Sequence, residues 1–319
     1  MYKLFAIALA LMMPLALTSC GNPQASAENS TPVSSSAESS ENDSSDSSAE
    51  GSEDTSSVEE DRPVSPDVSK EEIPDPDLDD PIAVNLIQAE GENQADDGTL
   101  ILQWSYQEPQ VNIPSNREAE KLIQADLDLL ISDFEDFITT QTQEAAESYE
   151  SGEQTFEDSH YYNELNITVA RCDDQVISLV IDDTGFSGGA HGWDNRYARN
   201  YDAMTGERIT FDNLGGDSFV DFCRENLLNQ IDAKIQQSGE SNPFFSDYQD
   251  SIDSIIQDGT AQNEYGPIEA SFYFNDQGLV FISGEYVLQP YAAGILEFSI
   301  PYTDLVGIMG DGYLLTSAN

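Results

Sequence analysis

Residues 100–106 read Leu-Ile-Leu-Gln-Trp-Ser-Tyr, a β-branched and aromatic run bounded by Asp97-Gly98 and Pro109, and this predicts a strand. Downstream the period lengthens. Ala119, Leu122, Ile123, Leu127, Leu130, Phe134, Phe137 and Ile138 recur three and four residues apart, which puts them on one apolar stripe of a long helix. Ser115-Asn116-Arg117-Glu118 stands before that stripe with the spacing of a capping box, Ser115 at the helix start and Glu118 its reciprocal partner. Across 144–152 the pattern turns polar and predicts a fraying end. Residues 161–171 and 175–181 are two β-rich runs around Cys172-Asp173-Asp174 and read as a hairpin. A second hairpin signal follows where 196–202 and 207–211 flank Met204-Thr205-Gly206. Over 217–237, Phe219, Val220, Cys223, Leu227, Ile231 and Ile235 share one helical face, and a shorter helix is expected around 252–256. The chain then returns to strands at 268–274, 279–288 and 295–301, broken at Asn275-Asp276-Gln277-Gly278 and at Pro290-Tyr291-Ala292-Ala293-Gly294. Strands and helices are grouped instead of alternating, which argues for an α+β fold with antiparallel sheets and against a doubly wound parallel sheet.

None of this periodicity extends upstream. Lys3 is followed by an apolar run over 4–17 that is too short to span a bilayer comfortably, and then by Leu17-Thr18-Ser19-Cys20-Gly21. The ending resembles a bacterial lipobox, so residues 1–20 are expected to be a lipoprotein signal peptide. Cys20 would be the acylated mature N-terminus that ties the protein to the extracytoplasmic face of the membrane. Residues 21–83 interleave serine runs with acid and end proline-rich. They have too little apolar content to offset the entropy of ordering, and read as a disordered tether of roughly 45 Å root-mean-square span.

Formal net charge is -50, and the tether does not account for it. Residues 21–80 hold 18 acidic and 2 basic residues, whereas 81–319 hold 43 and 8, so the folded part alone is near -35. Such a surface repels nucleic acid and anionic lipid and attracts cationic proteins or metal ions. Nucleic-acid binding is therefore excluded.

Candidate chemistry centres on Phe186-Ser187-Gly188-Gly189-Ala190-His191-Gly192-Trp193, a tight glycine turn between two apolar anchors that carries one of two histidines; the other is His160. Gly185, Ser187 and Gly189 satisfy the bare Gly-x-Ser-x-Gly pattern, but Ala190-His191-Gly192 follows where a nucleophile elbow needs a helix. Asp182, Asp183, His191 and Asp194 are close enough in sequence to suggest a cation, without calcium-loop or zinc spacing. Gly215-Gly216 before a helix lacks a phosphate-loop pattern, and among 61 acids no carboxylate pair stands out. No catalytic residue, metal or cofactor is assigned. Cys172 and Cys223 either form a disulfide or pack as small hydrophobes, and spacing leaves both open.

Several separated motifs together resemble the PdaC/RsiV-like family. They are Tyr-x-x-Pro-x-Val from Tyr106 to Val111, the capped helix after it, Gly188-Gly189-Ala190-His191, Asn200-Tyr201-Asp202 leading to Thr205-Gly206, and Gln289-Pro-Tyr-Ala-Ala-Gly-x-Leu-Glu-Phe-Ser-Ile-Pro-Tyr302. The resemblance covers about residues 84–310. It implies two small α+β units, each an antiparallel sheet packed with one main helix, over 84–193 and 194–319. One relative is an anti-sigma factor whose outer part binds lysozyme; in another the module precedes a separate peptidoglycan deacetylase domain. This chain is expected to have neither the spanning helix of the first nor the metal-binding histidines of the second. The expected function is a membrane-anchored extracytoplasmic lipoprotein that recognises a cationic protein such as lysozyme, or a cell-wall component. No ligand-binding residue is assigned; Gly188, Gly189, Ala190 and His191 are the family motif. The competing expectations are a cell-envelope enzyme acting on peptidoglycan or polysaccharide, and a lipoprotein whose module only packs against neighbours.

Overall fold

The computed structural model describes residues 80–152, 156, 159–239, 242–256, 262–263, 266–267 and 269–315. The expected export segment with Cys20, and the expected tether up to residue 79, lie outside the described residues. Five strands, β1 (Ala83–Gln94), β2 (Leu100–Asn112), β3 (Tyr161–Cys172), β4 (Val176–Phe186) and β5 (Trp193–Asp202), form one sheet in that spatial order. Every neighbouring pair is antiparallel except β2 and β3, which run parallel. A parallel pair needs a crossover, and helix α1 (Arg117–Ser151) supplies it. The helix covers one sheet face, burying Ile123, Leu127, Leu130, Phe134 and Ile138 against Leu102, Leu165, Leu179 and Ile181. Leu122 departs from the expected stripe and stands exposed.

Both ends of α1 differ from expectation for local reasons. Asn116, not Ser115, is the N-cap, and its side chain accepts from the Ala119 backbone N–H. The carboxylate that reaches back is Glu120, which takes the Ile113 N–H at 2.7 Å and pairs with Arg117. The far end does not fray. It continues to Ser151 and closes on Gly152 at φ 69°, whose N–H bonds Ser148 and Tyr149 carbonyls. Tyr149 holds that last turn down by donating to Asp97 Oδ2 at 2.6 Å.

Past β5 the second expected hairpin shrinks to a single bridge, Tyr201 opposite Arg208, before the short helix α2 (Phe211–Leu214). Helices α3 (Asp217–Gln237) and α4 (Tyr248–Ile255) follow, then two-residue strands β6 (Gln262–Asn263) and β7 (Gly266–Pro267). A three-stranded antiparallel sheet of β8 (Phe272–Phe274), β9 (Gly278–Ser283) and β10 (Leu296–Pro301) is closed by helix α5 (Tyr302–Leu305). Phe219, Cys223, Leu227 and Ile231 of α3 pack on Phe272, Phe281, Phe298 and Ile300 to form a second core. The class is therefore α+β, a five-stranded sheet with one long helix beside a small antiparallel sheet with helices.

All the described residues fall within one compact unit, and polar side chains join its two cores. Ser178 donates to Asn200 at 2.7 Å, Asn200 donates to the Phe272 carbonyl, and the Phe274 N–H donates back to Ser178. Arg199 and Arg208 each bond both Asp126 of α1 and Glu269, and Tyr201 adds its hydroxyl to Asp126 at 2.6 Å. Arg171, buried, reaches Asp173, the Tyr302 hydroxyl and the Tyr313 carbonyl. Buried cations of this kind are stable only when paired and hydrogen-bonded, so these arginines fix how the sheets meet.

Candidate functional site

The glycine-rich stretch is the turn between β4 and β5. Gly188 and Gly189 sit at φ 92° and 87°, a region that side chains with a Cβ rarely adopt, which is why two successive glycines are needed there. The turn is anchored by Trp193. Its indole lies flat over Gly185, where an added Cβ would stand 2.1 Å from the ring, and its Nε1–H donates to Asp183 at 3.1 Å. Phe137 of α1 meets the same ring edge-on at 5.9 Å. Gly192 is equally constrained, since a Cβ there would strike the Gly185 carbonyl at 2.2 Å.

With the turn fixed, His191 projects outward. Its Nδ1 donates to the Gly192 carbonyl at 2.7 Å, which leaves Nε2 outermost. The imidazole stacks on Tyr291 at 4.1 Å between centroids and 28° between planes. Tyr291 belongs to the second motif, Gln289 to Gly294, where Pro290 and Gly294 at φ 69° bracket a one-turn 3₁₀ segment (Tyr291–Ala293). Tyr286 lies 5.9 Å from Tyr291 and is the only described non-glycine residue with positive φ, at 60°. The strand expected to reach residue 288 therefore stops at Ser283, because Gly284 and the left-handed Tyr286 turn the chain away from the sheet. Tyr162, stacked on Phe186, sets its hydroxyl 3.4 Å from where a Gly192 Cβ would stand.

Carboxylates border these rings. Partial burial and the Asp194 charge raise the Glu285 carboxyl above its ordinary range, offset in part by an Asp194 backbone hydrogen bond and by His191. Tyr291's phenol is raised in turn, first by desolvation and then by the Glu285 charge. Exposed aromatic faces beside anionic oxygens are complementary to ammonium or guanidinium groups, which gain from ring and carboxylate together.

Other residues singled out in the sequence are placed elsewhere. Asp182 and Asp183 are consecutive on β4, so they point to opposite faces: Asp182 is held by Arg196 at 2.6 Å, and Asp183 lies under Trp193. No group of three or more His, Cys, Asp or Glu side chains placed to hold a metal occurs among the described residues. His160 contacts Gln103 at 3.4 Å. Gly215 lets Phe219 pack closely, its absent Cβ falling 2.5 Å from the Phe219 Cβ. Cys172 and Cys223 are free thiols: Cys223 lies in the second core, where burial pushes it up to about 12, and Cys172 lies against the Ile82 carbonyl.

Each of the eight basic residues after residue 80 is already engaged, seven in ion pairs and Lys234 over the Phe298 ring. Eight engaged cations leave most of the 43 acids after residue 80 without a basic partner. Tyr286, Glu285 and Tyr162 lie inside runs that the sequence predicts as strands, and nothing there singles them out.

The model described as "Deacetylase PdaC" matches residues 97–194, and that of "Protein of unknown function (DUF3298)" matches 219–303. No curated protein matches the chain. A DUF3298 family member from Bacteroides fragilis NCTC 9343 has a similar fold at 15% identity and TM-score 0.53, over 72% of this chain and 94% of that one. A DUF3298 family protein from Pseudomonas aeruginosa PAO1 aligns at 16% identity and TM-score 0.47, over 75% and 99%.

Proposed function

The chain belongs to the two-part PdaC/DUF3298 family, and we propose that it is a membrane-anchored extracytoplasmic recognition lipoprotein that captures a cationic protein, with lysozyme the sharpest candidate. One observation carries the reading: two loops about a hundred residues apart in sequence meet through the His191–Tyr291 stack and present rings and carboxylates together. The surrounding charge supports it, because an anionic body with its own cations engaged steers a basic protein toward that surface. Cys20 and the acidic tether supply the mooring and the reach.

The test is calorimetric titration of the lipid-free mature chain with lysozyme at low and high salt, beside Tyr291→Ala. Binding that weakens with salt and at least tenfold in the variant supports the reading, since a central aromatic contact is worth about 2 kcal/mol or more. An unchanged affinity in the variant, or no binding at low salt, removes it. Cleavage of purified wall material by the chain alone would favour the enzyme reading. A Cys20→Ala product that still sediments with the membrane fraction would remove the anchor.

A further inference from the structure

Two leucines of α1 face solvent: Leu122 is 55% exposed and Leu129 62%. They are seven positions apart, so they share one face two turns apart, roughly 10 Å along the axis, with exposed Ala125 between. The turn after β5 extends this apolar surface. Met204 there is 68% exposed, Asn116 donates to its carbonyl at 2.6 Å, and a Cβ on Gly206 would stand 3.0 Å from the Leu122 Cβ. Exposed acids border the strip at Glu118, Asp128, Asp133 and Asp136. Lys121 beside it is tied to Glu118 at 2.9 Å, and Arg199 and Arg208, which reach Asp126 between the two leucines, are paired as well.

We propose that this face of α1 docks a cationic amphipathic helix, whose apolar side lies on Leu122, Leu129 and Met204 and whose basic residues meet the bordering acids. Charge selects this occupant over the others. A second copy would bring a like charge near -35 onto the strip, the tether carries 18 acids against 2 basic residues, and anionic lipid is repelled for the same reason. The occupant is therefore a partner with both character types, joined as helix-in-groove ligands are, through anchors spaced by helical turns. This surface is distinct from the loops that carry His191 and Tyr291. Those lie at the Trp193 end of β5, and Met204 follows its Asp202 end, ten residues and roughly 30 Å away. The inference shares the cationic character of the proposed ligand but does not depend on the loop site.

The experiment uses the full chain in detergent and a fluorescein-labelled synthetic helix of leucine and lysine, about four turns long, followed by anisotropy at low and high salt. Leu122→Asn with Leu129→Asn is the main variant and Met204→Ser the second. All three side chains are exposed, and an unchanged melting temperature confirms that the fold is intact. The expected result is at least tenfold weaker binding in the leucine double variant, weakening again with Met204→Ser. Leucine variants that bind as the parent does would overturn the proposal, whether the affinity then follows salt alone or is lost with Tyr291→Ala. Failure of the parent to bind the helix overturns it as well. So does a concentration-dependent dimer that the leucine variants dissolve, because the occupant would then be a second copy.

Discussion

Gly185 and Trp193 face each other across β4 and β5, and that one contact sets where the His191 turn begins. The indole occupies the space a side chain would fill, and it is held from two further directions by Asp183 and Phe137. Gly185→Ala must therefore displace either the ring or a strand. We expect a loss of about 1–3 kcal/mol in urea unfolding, the range for an overpacked contact, together with altered tryptophan fluorescence. A variant as stable as the parent would mean that Trp193 moves freely and does not anchor the turn. The glycines and His191 were visible in the sequence because each carries its own signal. Tyr286 carried none: a tyrosine with positive φ obeys no composition rule, so it surfaces only when the backbone is known.

Among the elements, α3 was read to its limits and α1 was not. Over 217–237 the apolar period is regular and the glycine pair 215–216 separates it from the short helix α2, so pattern and boundary agree. At α1 two capping candidates stand side by side, and local spacing favoured Ser115. The structure uses Asn116, because its carboxamide also reaches the Met204 carbonyl across the turn, a contact 88 residues distant that no window can contain. Asn116→Ala is expected to cost about 1 kcal/mol by thermal or urea unfolding, and Ser115→Ala close to nothing. Equal costs would restore Ser115 as the cap. Strand β1 escaped notice because it is an edge strand whose alternation is diluted by Gln88, Glu90, Gly91 and Glu92. The parallel β2–β3 pairing was likewise hidden, since register between distant strands is decided by the crossover and not by either strand's own residues.

For the molecule as a whole, acidity is the dominant fact, and the interior depends on the few cations it has. Burial disfavours the Asp126 carboxylate, but hydrogen bonds from Arg208 and Tyr201 and the Arg199 charge outweigh it, so its carboxyl is held below the ordinary range. A depressed carboxyl contributes stability that is present above its unfolded value and lost as pH falls through the folded one. Asp126→Asn is therefore expected to lose roughly 3 kcal/mol at neutral pH, with the difference narrowing below about pH 4. A pH-independent difference would assign the effect to packing alone. The meeting of the two motif loops belongs to this scale as well. Both were legible as separate stretches, but their contact spans a hundred residues of chain and depends on how the two sheets are joined. The most direct measurement of that surface is hydrogen–deuterium exchange of the mature chain with and without lysozyme. Slowed exchange in both 186–193 and 284–294 is the predicted result; protection of neither segment, or of only one, would contradict a single recognition surface built from the two.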